Sequence, residues 1–103
     1  MNWSVRIIAL KTIREFWEKP AHADSEKPLR HWYDIARSAH WSSPQAVKLQ
    51  WGNASVIGNN RIVFNIAGNK YRLVVKFNYR KQKGFIRFIG THAQYDSINA
   101  ESI

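Results

Sequence analysis

The sequence predicts one α+β domain, residues 1–103, in which an N-terminal strand and helices pack on one face of a C-terminal antiparallel sheet. Two observations predict this class: apolar residues recur at helical spacing in the first half of the chain and alternate with polar residues in the second half. A chain of 103 residues without cysteine is long enough to bury a single core without disulfides, and it is compatible with a reducing cytoplasm. Its longest apolar run, residues 7–10, is far shorter than the roughly 20 residues that cross a bilayer, so we expect a soluble, cytoplasmic protein.

The first half begins with a short strand followed by a helix. Trp3, Val5 and Ile7 alternate with polar or charged residues, which is the period of a strand. From Leu10 onward the apolar spacing lengthens to that of a helix, and Pro20 ends it because proline lacks the backbone N–H that a helix needs. We therefore expect a strand near the N-terminus that leads directly into the first helix.

Two further helices are predicted between Pro20 and the start of the sheet. Ser25 is a suitable N-cap for a second helix, whose apolar stripe runs from Leu29 to Trp41. The pair Ser43-Pro44 is typical of a cap followed by proline at the first helical position, and it predicts a third helix through about Leu49.

The second half predicts four strands joined by hairpin turns, and then a short helix. The strands are the segments that alternate with period two: ASVI (54–57), RIVFNI (61–66), KYRLVVKFNY (70–79) and FIRFI (85–89). The segments between them are rich in glycine, asparagine and lysine, which favour turns. Thr91 and Gln94 have the spacing of a capping box, which predicts a final short helix that begins after Thr91.

The charge is strongly basic and unevenly distributed. Lysine and arginine number 16 against 7 acidic residues, a net charge of +9. Residues 1–51 contain eight basic and five acidic side chains, whereas residues 52–103 contain eight and two. No aspartate or glutamate occurs between Asn53 and Tyr95, so the cations of the sheet have no local carboxylate partners. A polyanion is therefore the first partner to consider.

Alternation along the long strand places cations on one face of the sheet. The odd positions from Tyr71 to Tyr79 are apolar or aromatic and predict the core face, which leaves Arg72 and Lys76 on the other face. In the next strand we expect Ile86 and Phe88 to join the core. Arg87, which lies between them, then points to the same surface as the other two cations. The alternative is that these cations merely solvate the open face of an antiparallel sheet.

Several segments together resemble the HigB toxin family of bacterial toxin–antitoxin systems, within the RelE-like superfamily. They are REFWEK, PLRHWYDIARSAHW, SPQAVK, VFNIAGNKYRLV and IRFIGTHAQYD. The resemblance implies a RelE-like fold and an endoribonuclease that cuts mRNA, usually on the translating ribosome. It also implies a partner antitoxin of the helix-turn-helix, HigA type.

Such a nuclease needs neither metal nor cofactor, because RNA carries its own nucleophile in the 2′-hydroxyl. We assign Arg72 and Arg87 to phosphate and transition-state stabilisation, since the guanidinium is always charged and planar. Lys76 is a point cation that can bind phosphate or transfer a proton. His92 is the candidate general acid or base, and Tyr95, three residues later, can stack on a base or supply a proton.

A second set of cations is expected to bind RNA or ribosomal phosphates: Arg61, Lys70, Arg80, Lys81 and Lys83. The alternatives are that the turn cations form a solvated loop, that His92 is an ordinary surface histidine, and that Tyr95 is a packing residue. Asp96 is more often structural in such a position than catalytic.

Two other function classes are weighed against the nuclease. A non-catalytic RNA- or ribosome-binding module would use the same cationic face, and only the fate of the RNA separates it from an enzyme. A DNA-binding antitoxin is disfavoured because the cations lie on strands and no helix-turn-helix is evident. A zinc site is disfavoured as well, because His22, His31 and His40 are nine residues apart and would face opposite sides of a helix.

Overall fold

In the computed structural model, which describes residues 4–103, five strands form one sheet. The strands are β1 (Arg6–Ile8), β2 (Ser55–Ile57), β3 (Arg61–Ile66), β4 (Tyr71–Asn78) and β5 (Lys83–Thr91). Their order across the sheet is β1-β5-β4-β3-β2, and neighbours run antiparallel except for β1, which is parallel to β5. The predicted antiparallel sheet is thus a mixed one, because the N-terminal strand joins its edge. Trp3, at the start of the predicted alternation, lies outside the described residues.

The helices lie close to where the apolar spacing predicts them. They are α1 (Leu10–Trp17), α2 (Glu26–Ser38), α3 (Pro44–Gln50) and α4 (His92–Asp96), with a 3₁₀ turn over Pro20–Ser25. Helix α2 ends at Ser38, so Trp41, the last residue of its predicted stripe, follows the helix. The Ser43 hydroxyl accepts a hydrogen bond from the Ala46 N–H at 3.2 Å, as predicted for the cap of α3. Ser25 is different: its backbone is helical, and its hydroxyl donates to the carbonyl of His22 at 2.6 Å instead of capping α2. No helix in residues 4–103 is long and apolar enough to cross a membrane.

One face of the sheet carries the main core. Tyr71, Leu73, Val75 and Phe77 of β4 are buried there, which confirms the predicted core face of the long strand. The aromatic residues of the first half fill the space between helices and sheet, as when Trp32 meets the ring of Phe64 edge-on at 5.2 Å between centroids. The helices therefore cover one face of the sheet and leave its other face for further contacts.

A β-bulge in β5 changes the predicted orientation of one core residue. Val74 lies opposite Phe88, but the next residue of β4, Val75, lies opposite Ile86, so Arg87 is an extra residue in β5. Ile86 packs against the main core as expected, whereas Phe88 packs on the opposite face. The prediction that both residues join the main core was wrong for Phe88, because a bulge interrupts the alternation from which it was made.

The second face of the sheet is partly covered by the last residues of the described chain. Val63, Val74 and Ala100 are buried in a small apolar cluster, to which Phe88 and Tyr95 contribute. We call residues 97–103 the C-terminal strap, because they follow α4 back across this face. The strap crosses the face on which the sequence placed Arg72, Lys76 and Arg87.

Candidate nucleic-acid interface

A cationic cleft opens on the second face, at the end of the sheet where β4 ends and β5 begins. Its volume is about 630 Å³, and its charged lining residues are Lys76, Arg80 and Arg87. Lys76 lies opposite Phe85 in the β4–β5 register, and Phe85 lines the cleft as well. Asn60 closes the cleft from the turn before β3. Two strands and two turns thus bring three cations to one concave surface.

These three cations have no acidic side chain as a partner. Within residues 4–103 neither Lys76, Arg80 nor Arg87 forms an ion pair with an aspartate or glutamate, and the acceptor of Arg87 is the main-chain oxygen of Ile103. The side chains of Lys76 and Arg87 are exposed on the sheet surface. Three like charges in one cleft repel each other, and binding an anion relieves this repulsion. The cleft therefore favours an anionic ligand over a neutral one.

Tyr79 lines the same cleft but turns its hydroxyl into the protein. Its ring stacks on Phe77 at 5.5 Å between centroids, and its hydroxyl is buried without a hydrogen-bond partner among the described residues. Burial raises the pKa of Tyr79 to about 12. The phenol therefore stays protonated at physiological pH, and Tyr79 is a packing residue, as the alternation of odd positions from Tyr71 to Tyr79 predicts.

Arg72 and His92 lie at the opposite end of β4. Arg72 lies opposite Gly90 in the sheet register and donates from Nη1 to the carbonyl of Asn69 at 3.0 Å. His92 is the first residue of α4; its Nε2 is 3.6 Å from Oδ1 of Asp96, and its side chain is half exposed. Its imidazole is therefore accessible to a ligand on this part of the surface.

Of the five residues assigned to chemistry, Lys76 and Arg87 line the cleft, and Arg72, His92 and Tyr95 lie outside it. Arg72 and Lys76 are four positions apart in β4, or about 13 Å along the strand, and Arg87 and His92 are five positions apart in the sequence. Tyr95 packs on Phe88 between the two ends, with 6.4 Å between ring centroids. We call this surface, which has cations at both ends and the apolar cluster of Val74 and the strap across its middle, the cationic track.

Two cations of the second set already bind other groups of the protein. Lys70 forms an ion pair with Asp24, whose other carboxylate oxygen accepts from the Tyr71 hydroxyl. The hydrogen bond to Asp24 raises the pKa of Lys70, and the hydrogen bonds from Lys70 and Tyr71 lower the pKa of Asp24. Burial, reinforced by the Asp24 hydrogen bond, raises the pKa of Tyr71.

Arg61 is the second occupied cation. It is only 6% exposed, and its guanidinium donates to the main-chain oxygens of Ile103 and Asn59. The turn cations differ, because Arg80 and Lys81 are exposed next to the cleft and Lys83 starts β5. The Lys81 N–H donates to the side chain of Asn78 at 3.0 Å, which fixes the path of this turn.

Sequence reasoning missed three contributors to the surface: Asn60, Phe85 and Ile103. Asn60 has a positive φ of 61°, and the preceding Asn59 has one of 59°. The Gly-Asn-Asn segment predicts this turn, but not that Asn60 faces a cleft. The main-chain oxygen of Ile103 accepts from Nε of Arg87 at 3.1 Å. No local pattern signals a contact between residues so far apart in the chain.

Comparison with known proteins identifies the family to which the chain belongs. The model of the HigB toxin family, described as the RelE-like toxic component of a toxin–antitoxin system, matches residues 25–98. The match includes α2, α3, strands β2 to β5 and α4, and therefore the whole cationic track. No curated protein matches the chain.

Proposed function

Because the chain belongs to the HigB family of RelE-like toxins of toxin–antitoxin systems, we propose that it is a metal-independent endoribonuclease that cleaves mRNA on the translating ribosome. The observation that carries this proposal is the cleft in which Lys76, Arg80 and Arg87 have no carboxylate partner. Single-stranded RNA is the polyanion that such a track suits, because its phosphates neutralise the cations at both ends.

The proposed chemistry takes place at the end of the track formed by Arg72 and His92. The 2′-hydroxyl attacks the adjacent phosphorus, and Arg72 stabilises the negative charge that develops on the phosphorane. His92 exchanges protons with the 2′-hydroxyl or with the 5′-oxygen leaving group, because an imidazole can both accept and donate a proton. Tyr95, on the same helix, stacks on a base or supplies a proton.

The cleft at the other end binds the flanking nucleotides. Lys76 and Arg87 contact phosphates, and Phe85 offers an aromatic surface for a base. Arg80, Lys81 and Lys83 extend the positive surface towards the ribosome, where ribosomal RNA phosphates are abundant. This division assigns catalysis to one end of the track and most of the affinity to the other.

A toxin of this family requires an antitoxin, and we propose a helix-turn-helix protein of the HigA type as the partner. The toxin acts in the cytoplasm, where translated mRNA and ribosomes are found. The positive charge of the toxin favours an antitoxin segment rich in aspartate and glutamate.

The test separates chemistry from binding. We expect His92→Ala and Arg72→Ala to abolish mRNA cleavage and growth arrest while the protein still sediments with ribosomes. Lys76→Ala and Arg87→Ala should weaken binding to single-stranded RNA. Lys27→Ala is the matched control, since Lys27 is an exposed cation in the first turn of α2. If all four variants arrest growth like the unaltered protein, the track is not the active surface.

A further inference from the structure

We propose that Arg61 is a positioning residue: through the C-terminal strap it fixes the guanidinium of Arg87 at the mouth of the cationic cleft. One acceptor links the two arginines, because the main-chain oxygen of Ile103 accepts from Nε and Nη2 of Arg61 and from Nε of Arg87. The inference rests on the proposed function only in taking the cleft as the RNA site.

Arg61 is held too firmly to contact RNA itself. Its side chain is buried under the strap, and Nη1 donates to the carbonyl of Asn59 at 3.0 Å in addition to the bonds with Ile103. All three of its guanidinium nitrogens therefore have acceptors within the protein. Separating such a buried cation from its acceptors would leave its charge uncompensated, which is strongly unfavourable.

The strap is anchored at points other than Arg61. The side chain of Asn59 donates to the carbonyl of Glu101 at 2.8 Å. Ala100 is buried in the same cluster as Val63 and Val74, on the face of the sheet that carries the track. These contacts, together with the bonds to Arg61, place the Ile103 oxygen at a defined point next to β5.

A fixed acceptor at Nε restricts the rotamers of an otherwise exposed arginine. Arg87 is the extra residue of the bulge, so the regular alternation of β5 does not orient it. Its Nη groups make no hydrogen bond within residues 4–103, and the side chain lines the cleft. The bond to Ile103 therefore leaves the outer edge of the guanidinium available for phosphate, and it removes rotational freedom before RNA binds.

The first measurement is the affinity for a single-stranded RNA with 2′-O-methyl groups, which cannot be cleaved, so that binding is read independently of catalysis. We expect Arg61→Lys to weaken binding roughly fivefold, as much as Arg61→Ala, because lysine keeps the charge but cannot form the forked contact with Ile103. In the Arg87→Ala background, neither Arg61 substitution should weaken binding further. Wild-type affinity in Arg61→Lys, or additive effects in the double variant, would overturn the proposal.

The second measurement needs no RNA. The Arg87 Nε–H signal in ¹H–¹⁵N spectra should be protected from exchange in the unaltered protein and should lose that protection in Arg61→Lys. An unchanged signal would refute the coupling, whatever the function of the protein. A wild-type protein that does not bind RNA but shows the protected signal would contradict the proposed function alone.

A milder variant covers the case in which loss of Arg61 prevents folding. Asn59→Gly removes the side-chain bond to Glu101 but tolerates the positive φ at this position. It should reduce both RNA affinity and protection of the Arg87 signal, whereas the control Ser102→Ala removes only a local 3.3 Å bond to Asn99 and should change neither. Wild-type behaviour of Asn59→Gly in both measurements would contradict the role of the strap.

Discussion

The hydroxyl of Tyr79 is buried without a partner beside the cationic cleft. We expect Tyr79→Phe to leave the free energy of unfolding unchanged or to raise it by up to about 2 kcal/mol, because it removes an unsatisfied polar group and keeps the ring stacked on Phe77. Urea denaturation at pH 7 measures this. A loss of stability would indicate that the hydroxyl has a partner.

The raised pKa of Tyr79 adds a prediction for alkaline pH. The folded pKa, about 12, lies above the ordinary value of 10.0, so the unfolded chain loses the phenol proton first. Its contribution to stability is complete below pH 10 and is lost as the pH rises towards 12. The difference in unfolding free energy between Tyr79→Phe and the unaltered protein should therefore widen above pH 10. A constant difference would mean that the phenol titrates normally in the fold.

Single residues show what alternation can and cannot predict. Arg72 and Lys76 lie on the face opposite the core residues because β4 is regular, and alternation of positions then predicts the face of each residue. Alternation gives the wrong face for Phe88, because it assumes that β5 has no extra residue. The burial of Arg61 has a different origin, because it depends on a strap that is distant in sequence.

Helix α4 is the element that presents His92, and a capping box starts it. The Thr91 hydroxyl accepts from the Gln94 N–H at 3.1 Å, and the Gln94 side chain accepts from the Thr91 N–H at 2.9 Å. We expect Thr91→Ala to reduce the free energy of unfolding by about 1 kcal/mol and to slow RNA cleavage through misplacement of His92. Thr91→Ser keeps the hydroxyl and should retain both properties in urea denaturation and cleavage assays. Equal losses in the two variants would exclude the cap as the cause.

At the scale of elements, the sequence was informative wherever signals are local. The caps at Ser43 and Thr91, the end of α1 before Pro20 and the four hairpin strands all depend on residues close together in the chain. The partner of β1 was not predictable, because its parallel pairing with β5 joins residues on either side of all three N-terminal helices. Ser25 was misassigned as a cap, since a 3₁₀ turn continues directly into α2.

The contact of Asp24 with Lys70 and Tyr71 links the 3₁₀ turn to the sheet, between parts of the chain that are far apart in sequence. The pKa of Asp24 is lowered by the hydrogen bonds from Lys70 and Tyr71, so the stabilisation is present above the ordinary value near 4 and is lost as the pH falls below it. Asp24→Asn should destabilise the protein at pH 7 more than at pH 3. Thermal unfolding at pH 7 and at pH 3 tests this. An equal decrease of Tm at the two pH values would exclude the carboxylate charge as the cause.

The positive charge of the whole molecule should determine how strongly the affinity for RNA depends on salt concentration. Each phosphate contact contributes about 0.7 to the slope of log K against log salt for a single strand. Arg87→Ala and Lys76→Ala should each reduce the slope by about this amount, whereas Lys27→Ala, on the helical side, should leave it unchanged. Equal reductions in all three variants would indicate a diffuse interaction with no defined track.

The central claim is that the cationic track cuts mRNA, and primer extension on a reporter mRNA tests it most directly. The reporter is isolated after expression of the unaltered protein, once with its start codon intact and once with translation blocked. We predict discrete new 5′ ends within the translated reading frame and none when translation is blocked. Intact reporter mRNA under both conditions would contradict the account and would leave a protein that binds RNA or ribosomes without cleaving.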